Sequence, residues 1–162
     1  MTPSKPTLHL LCGKIAAGKS TLCAQLAVLP NTVVISEDSW LAALYGEQMQ
    51  TVDDYVNYSG KLKQALGPHL VSLLKNGLSV VLDFPANTLA TRQWMKTLVD
   101  SSGADNRLHF LDVPDEICRE RLRARNASGT HDFAATDAQF DLITRYFVAP
   151  GEEEGFNIAR YE

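Results

Sequence analysis

The sequence predicts a three-layer α/β domain in which a mostly parallel sheet of about five strands carries helices on both faces. Short apolar runs alternate with longer helix-like segments, which is the order that parallel strands with crossover helices require. The apolar runs also lack polar alternation, as expected for strands that are covered on both faces. A chain of 162 residues with 45% hydrophobic residues is long enough for one core. We therefore expect a single domain over residues 1–162.

The apolar runs and helix-like segments can be placed along the chain from their spacing. Strands are predicted at 8–12, 32–36, 79–83 and 107–113, with an edge strand at 156–161. Helices are predicted at 19–28, 55–75, 88–101, 115–126 and 137–147, the last with Phe140, Ile143 and Phe147 at core spacing. Pro68 lies inside the second helix, and because it has no amide hydrogen we expect it to kink or break that helix.

Charge and cysteine content narrow the functional classes. The net charge is −4 without a long basic run, which favours a small-molecule partner over nucleic acid. The sequence has no apolar stretch long enough to cross a membrane and no secretory signal pattern. Cys12, Cys23 and Cys118 lack C-x-x-C spacing, so we expect buried thiols in a reducing compartment. Together these features favour a cytoplasmic protein.

A glycine-rich segment between the first strand and the first helix carries the strongest functional signal. Residues 13–20 match G-x-x-x-x-G-K-[ST], a phosphate-binding loop whose backbone amides surround phosphate oxygens at a helix N-terminus. We expect Lys19 to reach the β- and γ-phosphates of ATP and the Ser20 hydroxyl to hold Mg²⁺. The predicted nucleotide-binding residues are Gly13, Lys14, Ile15, Ala16, Ala17, Gly18, Lys19, Ser20 and Thr21.

Acidic residues follow the second and third predicted strands, at the sheet edge where ligands bind in such folds. Asp83 ends an apolar strand and is predicted to join Ser20 at the Mg²⁺ ion; the alternative is an aspartate that caps a turn. Glu37 and Asp38 follow the second strand, and we favour Asp38 as the carboxylate that orients an acceptor hydroxyl and accepts its proton. The alternative for Asp38 is a helix cap.

The helix at 115–126 carries four arginines that its periodicity divides into two pairs. Arg121 and Arg125 share the apolar arc with Cys118 and Leu122. A buried guanidinium needs an anion, so we expect the pair to face the phosphates of ATP, unless protein carboxylates neutralise it. On the opposite face, Arg119 and Arg123 are expected to be solvated and to pair with Glu116 and Glu120.

The acceptor is expected to contact residues between the second and third strands and the loop after Asp83. Aromatic and apolar side chains there offer a stacking surface, with ordinary helix packing as the alternative: Trp40, Leu44, Tyr45, Tyr55 and Tyr58. Asn87 is interpreted either as an acceptor ligand or as a helix N-cap. Arg92 is predicted to bind an anion of the acceptor. His131 and Asp132 follow the arginine helix and would approach the site only if that segment closes over it.

Taken together, these residues resemble the P-loop kinase group that contains zeta toxins, chloramphenicol phosphotransferase, gluconate kinase and the kinase domain of polynucleotide kinases. The resemblance covers residues 8–147 and implies a P-loop NTPase fold. Cys118, Arg121 and Arg125 form a C-x-x-R-x-x-x-R pattern that resembles the lid of that group, here expected around residues 114–135. The lid would place both arginines over the transferring phosphate. Polynucleotide-kinase-like members carry an arginine where this chain has Leu41, which disfavours a phosphorylated or nucleic-acid acceptor.

We therefore expect an ATP-dependent kinase that transfers the γ-phosphoryl group to a hydroxyl of a small molecule. Its predicted catalytic residues are Lys19, Asp38, Arg121 and Arg125. The motifs D-x-x-G and N-K-x-D of switch GTPases are absent from the sequence. Two alternatives remain open: a nucleotide-dependent binding or regulatory ATPase module, and a nucleic-acid 5′-hydroxyl kinase.

Overall fold

A parallel five-stranded sheet organises the chain. The structure is a computed structural model that describes residues 5–128 and 137–161. The strands are β1 (Thr7–Gly13), β2 (Thr32–Ser36), β3 (Ser79–Pro85), β4 (Asp105–Leu111) and β5 (Ile158–Tyr161). They are arranged in the order β2-β3-β1-β4-β5, and every pair of neighbours is parallel. The predicted α/β fold class is thus confirmed.

Six α-helices connect the strands in the described part of the chain. They are α1 (Lys19–Ala27), α2 (Glu37–Tyr45), α3 (Val52–Lys75), α4 (Leu89–Ser102), α5 (Asp115–Ser128) and α6 (Asp137–Arg145). None of these helices combines the length and apolarity needed to cross a membrane. The predicted elements all appear with shifted ends, except that β2 occupies exactly the predicted range and α2 was not predicted.

The two faces of the sheet carry separate hydrophobic clusters because successive side chains of a strand point to opposite sides. Leu8, Leu10 and Cys12 of β1 pack toward α3 and α4, together with leucines of those helices. Leu11 lies on the opposite face with Cys23 and Leu26 of α1. Helices therefore cover both faces, as the unbroken apolar runs predict. All three cysteines are buried and free.

Helix α3 is continuous through Pro68, so the predicted break does not occur. Gly67 precedes the proline and has no Cβ, which relieves the steric restriction that proline places on the residue before it. Leucines on both sides of this point, among them Leu62, Leu66 and Leu70, are almost completely buried. Packing of this face offsets the hydrogen bond that Pro68 cannot donate.

A third cluster joins the phosphate-loop segment to α5 and α6. Ala17 packs with Val113, Cys118, Leu122 and Phe140, all buried. Phe140 is therefore a core residue of α6, as predicted. Phe147 is half-buried and follows the end of that helix. The side chain of Ile143 and the residues His131 and Asp132 lie outside the described part of the chain.

Candidate active site

The loop between β1 and α1 has the backbone shape of a phosphate-binding loop. Gly18 has φ 109°, a conformation that L side chains rarely adopt, and directly precedes α1. A Cβ on Gly13 would lie 3.2 Å from the Cβ atoms of Ala17 and Leu111, so little space remains there for a side chain. Ala16 has φ 64°, which costs an alanine about 1 kcal/mol. Strain of this kind concentrates at binding sites.

Lys19 spans this loop from its last residue back to its first. Its Nζ donates to the carbonyl oxygens of Gly13 at 2.5 Å and Lys14 at 3.1 Å. Burial lowers the pKa of Lys19, and the charge of Asp83 opposes this effect. An anion in the loop favours the ammonium form in the same way as Asp83 does. A triphosphate bound in the loop would therefore replace the two carbonyl oxygens as the partner of the Lys19 ammonium group.

The N-terminus of α1 is open for an anion. The helix has no side-chain cap and no acidic residue in its first turn. Its first amide groups consequently lack the usual partners, and the helix dipole adds a partial positive charge there. Ser20 and Thr21 are exposed in this turn. The geometry fits a phosphate, with the Ser20 hydroxyl next to it.

Asn87 fixes the first residue of the loop, a role that the sequence did not reveal. Its Oδ1 accepts a hydrogen bond from the Gly13 amide and its Nδ2 donates to the Gly13 carbonyl, both at 2.9 Å. The pairing of β1 with β3 becomes irregular after Leu10, so Asn87 stands in for a strand neighbour. The N-cap alternative is wrong, because Thr88 is the N-cap of α4, and both ends of the Asn87 amide are engaged by Gly13.

The prediction that Arg92 binds an acceptor anion is wrong. The residue is 0% exposed, and its Nε donates to Glu154 Oε1 at 2.7 Å. Its Nη1 donates to the carbonyl oxygens of Ala86 at 3.0 Å and Val148 at 2.7 Å. Its Nη2 donates to Ala149 at 3.4 Å. The guanidinium thus ties the segment after α6 to the end of β3.

Glu37 and Asp38, at the start of α2, have opposite environments. Glu37 is 1% exposed and accepts hydrogen bonds from the Tyr55 hydroxyl and from Ser59 Oγ, the latter at 2.7 Å. Asp38 is exposed. The helix cap is Ser36, whose Oγ accepts from the Ser39 amide at 3.3 Å, so the capping alternative for Asp38 is wrong. Asp38 is left pointing outward while Glu37 anchors α2 to α3.

Asp83 lies between the phosphate loop and the start of α2. It is paired in register with Ser36 on the neighbouring strand, so the carboxyl ends of β2 and β3 meet here. Burial raises the pKa of Asp83, the charges of Asp38 and Glu37 raise it further, and Lys19 opposes them. The charges of Asp38 and Lys19 therefore both act on the Asp83 carboxyl group.

The donor set around Asp83 fits a magnesium ion bound together with a nucleotide. Among the described residues, no group of three or more His, Cys, Asp or Glu side chains is arranged to hold a metal. Magnesium in nucleotide sites keeps several waters and takes only one or two protein ligands beside phosphate oxygens, so it needs no such group. A divalent cation near Asp83 would also offset the repulsion among these carboxylates.

Helix α5 approaches the phosphate loop through its arginines and its first turn. Arg121 Nη1 lies 3.4 Å from the carbonyl oxygen of Ala17, and Arg125 contributes to lowering the pKa of Lys19 after the larger effect of burial. Lys14 Nζ lies 2.5 Å from Asp115 Oδ1 at the start of the helix. The structure thus brings Arg121 and Arg125 near the loop, but Arg121 is exposed and does not lie on the buried face predicted for it, whereas Arg125 is half-buried.

Arg119 differs from its prediction. It is half-buried and pairs with Asp141 of α6 instead of Glu116 or Glu120. Its guanidinium also lies 5.3 Å from the centre of the Phe140 ring. Arg119 therefore joins α5 to α6, whereas the sequence predicted a solvated surface position. Arg123 is exposed, as predicted.

The aromatic residues of α2 and α3 divide into packed and accessible ones. Tyr45 and Tyr58 stack on each other with ring centres 4.2 Å apart and are half-buried. Trp40 is 40% exposed, and Tyr55 is 37% exposed although its hydroxyl is engaged by Glu37. Leu44 is also exposed. Trp40 and Tyr55 are therefore the rings of this set with the largest accessible surface.

Known structures share this fold. A putative kinase from Chloroflexus aurantiacus superposes with a TM-score of 0.73 at 19% identity, covering 97% of this chain and 85% of that one. The APS kinase of Mycobacterium tuberculosis, solved with AMPPNP and APS, gives 0.62 at 17% identity, with 98% and 89% covered. The Pnkp1/Rnl/Hen1 RNA repair complex gives 0.62 at 21%, with 86% and 43% covered.

At these identities the structural likeness establishes the fold alone. No curated protein matches the chain in sequence. A family model described as an AAA domain matches residues 8–150, which includes the phosphate loop, both strand-end carboxylate sites and α5. The chain therefore belongs to this AAA domain family and has a P-loop kinase-like fold.

Proposed function

We propose that the protein is an ATP-dependent kinase that transfers the γ-phosphoryl group of ATP to a hydroxyl of a small-molecule acceptor. The observation that carries this proposal is the position of Asp38. It is exposed at the carboxyl end of β2, and its charge acts on Asp83 beside the phosphate loop. Among the described residues no hydrogen bond or ion pair of Asp38 is seen, so its carboxylate remains available to a hydroxyl group.

The donor side of the reaction is formed by the phosphate loop and α5. The loop amides and the N-terminus of α1 bind the phosphates, and Lys19 moves from the carbonyl groups of Gly13 and Lys14 to the β- and γ-phosphates. Ser20 and Asp83 would hold magnesium, which neutralises charge on the phosphate oxygens when bound. Arg121 and Arg125 add positive charge where negative charge is redistributed during transfer.

On the acceptor side, Asp38 orients the hydroxyl group and accepts its proton as the new bond forms. The acceptor oxygen bonds to the γ-phosphorus while the bond from that phosphorus to the bridging β–γ oxygen breaks. The electron pair of the broken bond leaves with ADP, and the proton passes through Asp38 to solvent. Such transfer is mostly positioning and charge stabilisation, which is what these residues are arranged to supply.

Binding of the nucleotide is tested with Lys19→Ala. We expect calorimetry to show a strong loss of Mg·ATP affinity, because the variant removes the cation that meets the β- and γ-phosphates. Lys14→Ala is the matched control in the same loop, since Lys14 is paired with Asp115 and its loss should have a smaller effect. Unchanged affinity in a folded Lys19→Ala protein would contradict the phosphate-loop assignment.

Transfer itself is tested by a screen for compounds that stimulate ADP release. The screen should contain metabolites, nucleotide sugars, antibiotics and oligonucleotides with a free 5′-hydroxyl, with the Lys19→Ala protein as blank. We expect a small-molecule hydroxyl compound to stimulate turnover. Stimulation by oligonucleotides alone would favour the nucleic-acid 5′-hydroxyl kinase. Absence of any acceptor would favour a nucleotide-dependent binding module.

A further inference from the structure

Glu37 is a buried carboxylate directly beside Asp38 in the chain. It is the first residue of α2 and is 1% exposed, whereas Asp38 follows it and is exposed. Burying a carboxylate costs free energy that hydrogen bonds or charges must compensate. Apolar side chains of the same shape could fill such a place at little or no cost in stability. The use of a carboxylate here indicates that its directional hydrogen bonds matter, beyond packing.

Both oxygens of this carboxylate are held by one face of α3. The Tyr55 hydroxyl donates to Glu37 Oε1, and the Ser59 hydroxyl donates to Oε2 at 2.7 Å. Tyr55 and Ser59 are one helical turn apart and continue the stripe that carries the buried Leu62 and Leu66. Those leucines belong to the main hydrophobic core, so both donors come from a helix that is anchored in the core. The two hydrogen bonds thus set the position of Glu37 and the plane of its carboxylate.

The direction of the first turn of α2 depends on these contacts. The helix has nine residues, too few to be stable alone, and two of them, Glu37 and Leu41, are buried. Leu41 lies one turn after Glu37 on the same face. Ser36, which precedes the helix, is held in the sheet opposite Asp83. Asp38 therefore follows two restrained residues, and loss of the Glu37 hydrogen bonds would loosen the turn that carries it.

We propose that Glu37 is a positioning residue for phosphoryl transfer. Held by Tyr55 and Ser59, it fixes the first turn of α2 and thereby the direction in which the Asp38 carboxylate meets the acceptor hydroxyl. A misplacement of about 1 Å at a reacting group can lower a rate by about a hundred-fold, so such a restraint affects catalysis directly. The inference rests on the proposed kinase function and on the role given there to Asp38.

Hydrogen–deuterium exchange tests this restraint without any acceptor. Tyr55→Phe removes one of the two hydroxyl donors and keeps the ring. We expect amide exchange in α2 to become about ten-fold faster, because local opening of the helix then breaks one hydrogen bond fewer. Tyr161→Phe is the matched control: it removes a tyrosine hydroxyl that lies 2.8 Å from Nδ1 of the buried His109, on the edge strand opposite β2. This control should leave exchange in α2 unchanged.

A double-mutant cycle tests whether Glu37 acts through Asp38. The rate is measured as ADP release with the compound that gives the highest turnover in the broad screen. We expect Tyr55→Phe to lower kcat about ten-fold in the otherwise wild-type protein, with the KM for ATP unchanged. In the Asp38→Asn protein the same change should alter kcat by less than about two-fold, because the group that is positioned has been removed. Glu37→Gln keeps an oxygen acceptor for one hydroxyl donor and should retain more activity than Glu37→Ala.

The outcomes separate this inference from the function on which it rests. Unchanged exchange in α2 of the Tyr55→Phe protein would overturn the inference and leave the kinase intact. An equal loss of kcat with and without Asp38 would also overturn it, since that result indicates a general structural role. Tyr55→Phe keeps the ring and the Ser59 contact, so it decides the question even where Glu37→Ala does not fold. If no compound of the screen stimulates ADP release, the kinase proposal fails and this inference fails with it.

Discussion

Replacing Arg92 with methionine tests whether this arginine is structural. The side chain is fully buried, and it makes four hydrogen bonds, one of them to a carboxylate that is itself only 12% exposed. Burial raises the pKa of Glu154, but the hydrogen bond from Arg92 and the amide of Gly151 outweigh it, so the net shift is downward. Methionine has similar length and no charge, so Arg92→Met leaves Glu154 and three carbonyl groups without their donor.

Breaking a buried ion pair by removal of one partner costs about 3–5 kcal/mol, because the other charge stays buried without compensation. We expect the free energy of unfolding to fall by about this amount, and the melting temperature by roughly 10 °C. Urea denaturation followed by circular dichroism measures it. Lys96→Met is the matched control on the same helix, since Lys96 forms an exposed pair with Asp100 and should change stability by less than about 1 kcal/mol.

Two results would refute this reasoning. One is an Arg92→Met protein whose stability lies within about 0.5 kcal/mol of the wild type. The other is a variant of normal stability with a raised acceptor KM, which would restore Arg92 to the acceptor site. If Arg92→Met does not fold, Glu154→Gln offers a milder change that keeps an acceptor oxygen for the guanidinium. Glu154→Gln should lower the free energy of unfolding by about 1–2 kcal/mol, and an unchanged free energy would also contradict this reasoning.

Three further predictions concern the loop, the sheet and α5. Asn87→Ala should weaken Mg·ATP binding about ten-fold by calorimetry, since two hydrogen bonds that shape the loop are lost; unchanged affinity would contradict this. Burial, with the neighbouring His9 imidazole, lowers the pKa of His109 to about 4. The unfolded chain therefore binds a proton at this histidine at a higher pH than the folded protein does, and folding stability falls as the pH drops below about 6.5. Stability measured by urea denaturation should therefore drop by about 2 kcal/mol between pH 7.5 and pH 5 and do so far less in His109→Gln; equal slopes would refute it. Arg121→Ala should lower acceptor-dependent turnover, whereas Arg119→Ala should lower thermal stability alone; equal effects on turnover would show that the two faces of α5 are wrongly assigned.

Features encoded by neighbouring residues could be predicted from the sequence. The phosphate loop is a continuous motif, and β2 is a short run of mostly β-branched residues. The unpredicted α2 begins directly after β2, with no intervening turn, and its capping residue Ser36 was still counted as strand. A helix that follows a strand without a loop gives little local signal of its start.

Roles that depend on distant partners could not be found in the same way. Glu37 is held by Tyr55 and Ser59 of another helix. Three of the four partners of Arg92 lie more than fifty residues along the chain. One local signal for Arg92 does exist: it shares a helix face with the buried Met95 and Val99, at the spacing of three and seven residues. This spacing indicates that Arg92 lies on the buried face of α4, although the charge of an arginine favours a position at the surface.

The proposed function is tested most directly by phosphoryl transfer in Asp38→Asn. Because Asp38 is proposed to face the acceptor and does not cap α2, we expect Mg·ATP affinity and thermal stability to stay unchanged while acceptor-dependent transfer falls by about 10²-fold or more. Asp53→Asn, an exposed carboxylate on α3, serves as the control and should retain activity. An Asp38→Asn protein that transfers phosphate at a near-normal rate would contradict the central role assigned to this carboxylate.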